Sequence, residues 1–125
     1  PSPTTVLLMA AARRDFFLTV QHGQFYQGKP VIGYDLPGFG DELCGLPYLP
    51  RLIAKARAKL VGSMGDDIIY CCENDRRFFR DHGNIHPADF LRVVWAAGDS
   101  DPKVYDYVRQ RTLSVSSAVP DNEQT

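Results

Sequence analysis

The residues of this chain most able to do chemistry are a run of basic side chains and a small set of thiols and imidazoles. Arg51, Lys55, Arg57 and Lys59 recur along one segment, and Arg76, Arg77 and Arg80 along another. If the two segments adjoin, their guanidinium and ammonium groups would hold a phosphate or carboxylate, Arg through a bidentate fork. Arg51, Lys55, Arg76 and Arg77 are the candidate anion-binding residues. The competing reading is a solvated basic face balanced by acids elsewhere.

Cys71, Cys72, His82 and His86 carry the right ligand atoms for zinc. Their spacing argues against one shared ion. Adjacent cysteines rarely serve a single metal, and Gly83 and Pro87 break up the histidines as a helical pair. Core thiols with His86 as a helix cap is the simpler reading, so no metal and no cofactor is expected. Cys72 with a histidine would also make a nucleophile pair. No third orienting group or glycine-rich oxyanion loop accompanies it, and no catalytic residue is assigned. Asp66-Asp67 and Asp99-x-Asp101 lack the alternating oxygen ligands of a cation loop and read as turn and cap residues. Gly33, Gly38 and Gly40 have no strand-turn-helix unit around them and are no phosphate fingerprint.

The elements that would position these groups are mostly helices. Pro50 suits the first turn of a helix to about Val61, with Leu49, Leu52, Ile53, Ala56 and Leu60 on one face and Gly62 as its stop. Asn74 can cap a helix through Arg80, ending at Gly83. Pro87 opens the next, with Phe90, Leu91, Val94 and Trp95 on its apolar face and Gly98 as its end. A last helix starts near Pro102 and uses Val104, Tyr105 and Val108. Leu49, Leu52, Ile53, Phe78, Phe90, Leu91, Val94 and Trp95 are the expected core. Asp66 to Cys72 reads as a buried extended segment.

The N-terminal part differs. Thr4 or Thr5 can cap a helix from Val6 to about Phe17, apolar on too many faces for a solvated helix. From Leu18 to Gly45, glycines and prolines prevent a continuing helix. That arm has room for a short hairpin pairing Phe16–Gln21 with Lys29–Tyr34, and an extended arm fits the same residues equally well. The expected organisation is an N-terminal helix and arm over 1–45, a helical domain over 46–112 and a flexible tail over 113–125. The fold class is mainly α, a compact bundle of short helices.

The stretch Leu46-Pro47-Tyr48-Leu49-Pro50-Arg51-Leu52-Ile53-Ala54-Lys55-Ala56-Arg57-Ala58 is the most distinctive. With Asp75-Arg76-Arg77-Phe78-Phe79 and Phe90-Leu91 following in order, it resembles a bacterial family known as domain of unknown function 5069. The resemblance spans roughly Tyr34 to Val108 and does not reach Pro1 to Gly33 or the tail. It implies a small helical fold and brings no established activity.

The 125 residues, 44% hydrophobic and 23% charged, suit one globular domain. A net charge of −1 gives no reason to expect nucleic acid. The longest apolar run, Val6 to Ala12, is too short for a membrane span. Three cysteines, two of them adjacent, are a poor disulfide framework and suit a reducing compartment, the cytoplasm or an organelle stroma or matrix. The chain opens on Pro1-Ser2-Pro3, which reads as a processed or trimmed end.

The leading expectation is a non-catalytic interaction module or accessory subunit. Its arm would dock on another polypeptide, or on a second copy, through Leu7, Leu8, Phe16, Phe17, Phe25, Tyr26 and Phe39. The alternative is a small enzyme or ligand-binding protein using the Arg cluster with Asp75, or the Cys/His group.

Overall fold

The computed structural model describes residues 1–118. Helix α1 spans Pro3–Thr19, α2 Leu49–Val61, α3 Glu73–Asp81, α4 Pro87–Ala97 and α5 Asp101–Ala118. The strands β1, Glu42–Leu43, and β2, Leu46–Pro47, form an antiparallel hairpin ahead of α2. The fold is mainly α, as the sequence implies. Among the described residues no helix is long and apolar enough to cross a membrane.

Local chemistry sets the helix ends. Pro50 occupies the first turn of α2, where its missing N–H costs nothing, and Gly62 caps the helix with φ +83°. α4 opens on Pro87 behind His86, whose ring Nδ1 accepts the Ala88 N–H at 3.0 Å. Ser2 caps α1 by accepting the Thr5 N–H at 3.1 Å. α1 starts and ends beyond the expected Val6–Phe17 because Ser2 is the better cap and Pro3 fits the first turn.

The core is the meeting of α1, α2, α4 and α5, to which α3 adds Phe78 and Phe79. Leu49, Leu52, Ile53, Phe78, Phe90, Leu91 and Val94 are buried, as the helical spacing requires. Trp95 is only half-buried, because it sits at the edge of α4 edge-to-face with Phe16 of α1, 5.4 Å between centroids. Met9 and Ala12 of α1 belong to this same core. An ion pair, Arg92 to Asp15 at 2.8 Å, also ties α4 to α1.

Several sequence expectations need correction. Phe16 to Thr19 is the end of α1, so no hairpin forms with Lys29–Tyr34; the actual hairpin lies at Glu42–Pro47, turning through Cys44 and Gly45, both with positive φ. Asp66 to Cys72 forms turns rather than an extended segment. Helix α5 continues past Thr112 to Ala118, so the first part of the expected tail is helical. The remainder of that tail, 119–125, lies outside the described residues.

The arm between α1 and β1 is stitched to the loop after α2. Val31 N–H donates to Ser63 O at 2.7 Å, Gly65 N–H donates to Val31 O at 2.7 Å, and Gly33 N–H donates to Asp67 Oδ2 at 2.9 Å. Gln21 Nε2 donates to Val61 O at 2.8 Å. The arm thus runs along the domain and holds the Met64–Ile69 loop in place.

Candidate functional site

Arg51 and Lys55 lie one turn apart on α2, so their side chains leave the same face. That face meets the start of α3. Lys55 is only 4% exposed, and its Nζ lies 2.7 Å from Oδ2 of the fully buried Asp75. Burying two charges costs several kcal/mol per ion, so such a pair persists only when its remaining bonding capacity is filled. Asp75 is filled. Its Oδ2 also accepts the Cys71 N–H at 2.8 Å and the Cys72 N–H at 3.3 Å, and its Oδ1 accepts the Tyr48 hydroxyl at 2.5 Å.

Sequence position explains why these donors converge. Asp75 is the third residue of α3, and Cys72 is its N-cap. The Asp75 carboxylate reaches back from the first turn of α3 and accepts the N–H of its N-cap, Cys72. This is the carboxylate half of a capping box. Two strained residues complete the aim. Tyr48 has φ +76° at the N-cap of α2, and Cys71 has φ +72° just before α3. Non-glycine residues in this region cost about 1–3 kcal/mol each and persist only where their surroundings impose them. Both flank the same carboxylate.

Burial pushes the Tyr48 phenol far above its ordinary range, and the bonded Asp75 carboxylate pushes it further. Tyr48 is therefore a neutral hydrogen-bond donor at physiological pH. Tyr70 is raised as well, first by burial and then by Asp75, and its hydroxyl donates to Pro87 O at 2.8 Å. Burial raises the Cys71 thiol, with Arg76 opposing that shift.

The polar cluster forms one side of a cavity of about 210 Å³. Leu36, Phe39, Ile68 and Ile69 supply apolar wall, and Tyr48, Arg51, Lys55, Cys72, Asn74 and Asp67 supply polar groups. Lys55 Nζ stands 3.4 Å from the Cys72 sulfur. The Arg51 guanidinium lies over the Phe39 ring, 4.1 Å from its centroid, and donates from Nη1 to Pro37 O at 3.0 Å. Arg51 Nε is buried without an acceptor, and Arg51 has no carboxylate partner among the described residues. Asp67, the acid at the rim, is engaged by the Gly33 N–H.

The four candidate anion-binding residues divide. Arg51 and Lys55 share the cavity, but Arg76 and Arg77 do not join them. Arg76 turns back to donate to Cys71 O at 2.8 Å, and Arg77 is exposed beside Asn74 and Glu73. The reason is helical phase: α3 buries Asp75, Phe78 and Phe79, which puts Arg76 and Arg77 on other sides. Arg57 is occupied elsewhere, with Asp101 at 2.5 Å.

The thiol and imidazole set also separates. Cys72 faces the cavity while Cys71 is buried on the other side, beside Phe79 and Ile85. His82 stacks on Phe78, and His86 caps α4. Among the described residues no group of three His, Cys, Asp or Glu side chains could hold a metal ion.

Of the candidate partner-binding residues, Leu7, Leu8, Phe25, Tyr26 and Phe39 are exposed. Phe16 and Phe17 are half-buried, Phe16 against Trp95 and Phe17 against Phe25. Phe39 also lines the cavity. Tyr48 is the site residue that sequence reasoning missed. Its type says core or turn, and only its left-handed backbone reveals the directed hydroxyl.

No curated protein and no solved structure matches this chain. A family model does match, over residues 40–118, beginning and ending somewhat later than the resemblance read from the sequence. The matched span holds Tyr48, Arg51, Lys55, Cys72 and Asp75, so the whole polar cluster lies within it, while α1 and the arm do not. The chain belongs to the family described as domain of unknown function (DUF5069).

Proposed function

We propose that the chain is a small ligand-binding domain whose cavity between α2 and α3 takes a small molecule bearing a carboxylate or phosphate group. The observation that carries this reading is Arg51. Its guanidinium lines the cavity with no acid partner among the described residues and with a buried N–H that lacks an acceptor. A guanidinium there offers an anion several fixed donors, stronger than neutral ones because they are charged. Lys55 does not act as a second free cation, because Asp75 neutralises it. Its role is to form, with Tyr48 and Asp75, a rigid polar floor. A cavity of about 210 Å³ sits below the range typical of drug-sized ligands, roughly 300–1,000 Å³, which suits a ligand of few atoms.

Amide NMR titration with inorganic phosphate and with a small carboxylate, at constant ionic strength, tests this. Saturable shifts are expected at Cys72, Asn74 and Arg51, and they should vanish in Arg51→Gln. Shifts that grow linearly with concentration, or that appear unchanged in Arg51→Gln, overturn the reading.

A second reading rests on a different observation. The outer side of α1 shows Val6, Leu7 and Leu8 to solvent, Leu7 at 69%, on a stretch from Val6 to Ala12 without a charge. An uncharged apolar stripe is self-complementary, since two copies meet without like-charge repulsion. Under this reading, two chains associate through α1. Sizing across a concentration series should show a dimer that Leu7→Glu converts to a monomer; a monomer at every concentration rejects it.

A further inference from the structure

Cys71 and Cys72 are adjacent in sequence but lie in opposite surroundings. The positive φ at Cys71 turns the chain so that one thiol enters the core and the next lines the cavity. Cys71 is 2% exposed, whereas Cys72 is half-buried and lines the cavity. The Cys72 sulfur belongs to the N-cap residue of α3 and has Lys55 Nζ 3.4 Å away. Reactive cysteines are found where a helix N-terminus and a cation surround a partly accessible sulfur. Neither feature alone would distinguish this thiol. The second, independent observation is that Arg51, unpaired with any acid among the described residues, lines the same cavity.

We propose that Cys72 is a nucleophile for small electrophiles that carry a carboxylate next to the reacting carbon, with Arg51 holding the carboxylate. This rests on the anion-binding reading above and extends it from binding to bond formation. In the step, the Cys72 sulfur attacks the carbon and a C–S bond forms. The bond from that carbon to its leaving group breaks, and the leaving group departs with the electron pair. The thiol proton passes to solvent. Nothing is oxidised or reduced. Lys55 is a positioning residue here, held by Asp75 and donating toward the sulfur, and Tyr48 keeps Asp75 in place.

The probe pair is iodoacetate and iodoacetamide, alike in reacting carbon and leaving group and different in charge. Labelling at Cys72 is read by mass spectrometry with fragment ions that separate it from Cys71, and the same residue in the urea-unfolded chain is the reference. The native chain should favour iodoacetate over iodoacetamide, relative to the unfolded chain, by about tenfold or more, the size of one charge-assisted hydrogen bond. Inorganic phosphate should slow the iodoacetate reaction in the native chain, a readout that needs no variant. Arg51→Gln should bring the native ratio down to the unfolded one. If neither reagent labels native Cys72 while both label it in urea, the nucleophile is wrong, and saturable phosphate shifts would leave the binding reading standing. If Cys72 is labelled with the same ratio native and unfolded, and phosphate does not protect it, the guidance by Arg51 is wrong and the binding reading falls with it.

Discussion

At the scale of single residues, Asp75 ties the site to the fold. It accepts from Lys55, Tyr48, Cys71 and Cys72, and so joins α2, the turn before it and the start of α3. Asp75→Asn keeps the size but leaves the Lys55 ammonium buried without its counter-charge. Denaturant unfolding should show a loss of about 3–5 kcal/mol. Replacing both partners, Lys55→Met with Asp75→Leu, should cost distinctly less than Asp75→Asn, because no charge is then stranded. A second residue-scale expectation concerns alkaline pH. The folded Tyr48 and Tyr70 phenols are raised, so the folded state keeps protons that the unfolded state releases above its ordinary phenol value of about 10. Stability is therefore whole below that pH and declines as pH rises beyond it. Unfolding free energies measured from pH 8 to 11 should turn downward near 10, and Tyr48→Phe should soften the slope. Little of this was legible in the sequence. Arg51 and Lys55 could be paired by their spacing and Cys72 could be flagged by type. That Lys55 is buried follows only from α3 bringing Asp75 against it, a contact twenty residues away with no local pattern.

At the scale of elements, local signals read well and long-range ones did not. Pro50, Gly62, Pro87 and Gly98 bound their helices where the sequence placed them, since capping and φ restrictions act within a turn. The hairpin was misplaced because Phe16 to Thr19 has strand-like residues but sits on a helix already propagating from Ser2. Helix α2 carries a sensitive core position: Leu52 is fully buried, and Leu52→Ala should cost about 2–5 kcal/mol in denaturant unfolding. The glycines after α3 and α4 make a sharper comparison. Gly83 has φ +94°, and a Cβ there would lie 2.6 Å from the Arg111 backbone oxygen on α5. Gly98 has φ +60° with open space around it. Both alanine variants incur backbone strain, on the order of 1–3 kcal/mol, but only Gly83→Ala also forces α5 outward. It should lower the melting temperature clearly more than Gly98→Ala; equal losses would mean that α5 yields freely at that point.

At the scale of the whole molecule, the N-terminal segment is part of the domain's own packing. The sequence suggested a helical domain over 46–112 preceded by a separate helix and arm. In the structure Met9 and Ala12 sit in that domain's core and Phe16 covers Trp95. Deleting residues 1–33 should therefore destabilise the remaining helices, seen as an earlier and broader thermal transition by circular dichroism. A truncated chain as stable as the full one would show that α1 is an appendage. The sequence missed this because α1 is apolar on nearly every side, so periodicity gave no single face to assign to the core. The arm's stitching carries a consequence for motion. Val31 bonds to Ser63 and Gly65, and Gly33 bonds to Asp67, in the loop whose Ile68 and Ile69 wall the cavity. Neither strand of that seam can lift while the other stays. The amides of Val31, Gly33 and Gly65 should exchange with solvent deuterium at a common rate, as one opening unit. A molecule lodged in the cavity should slow all three together, although it touches none of them.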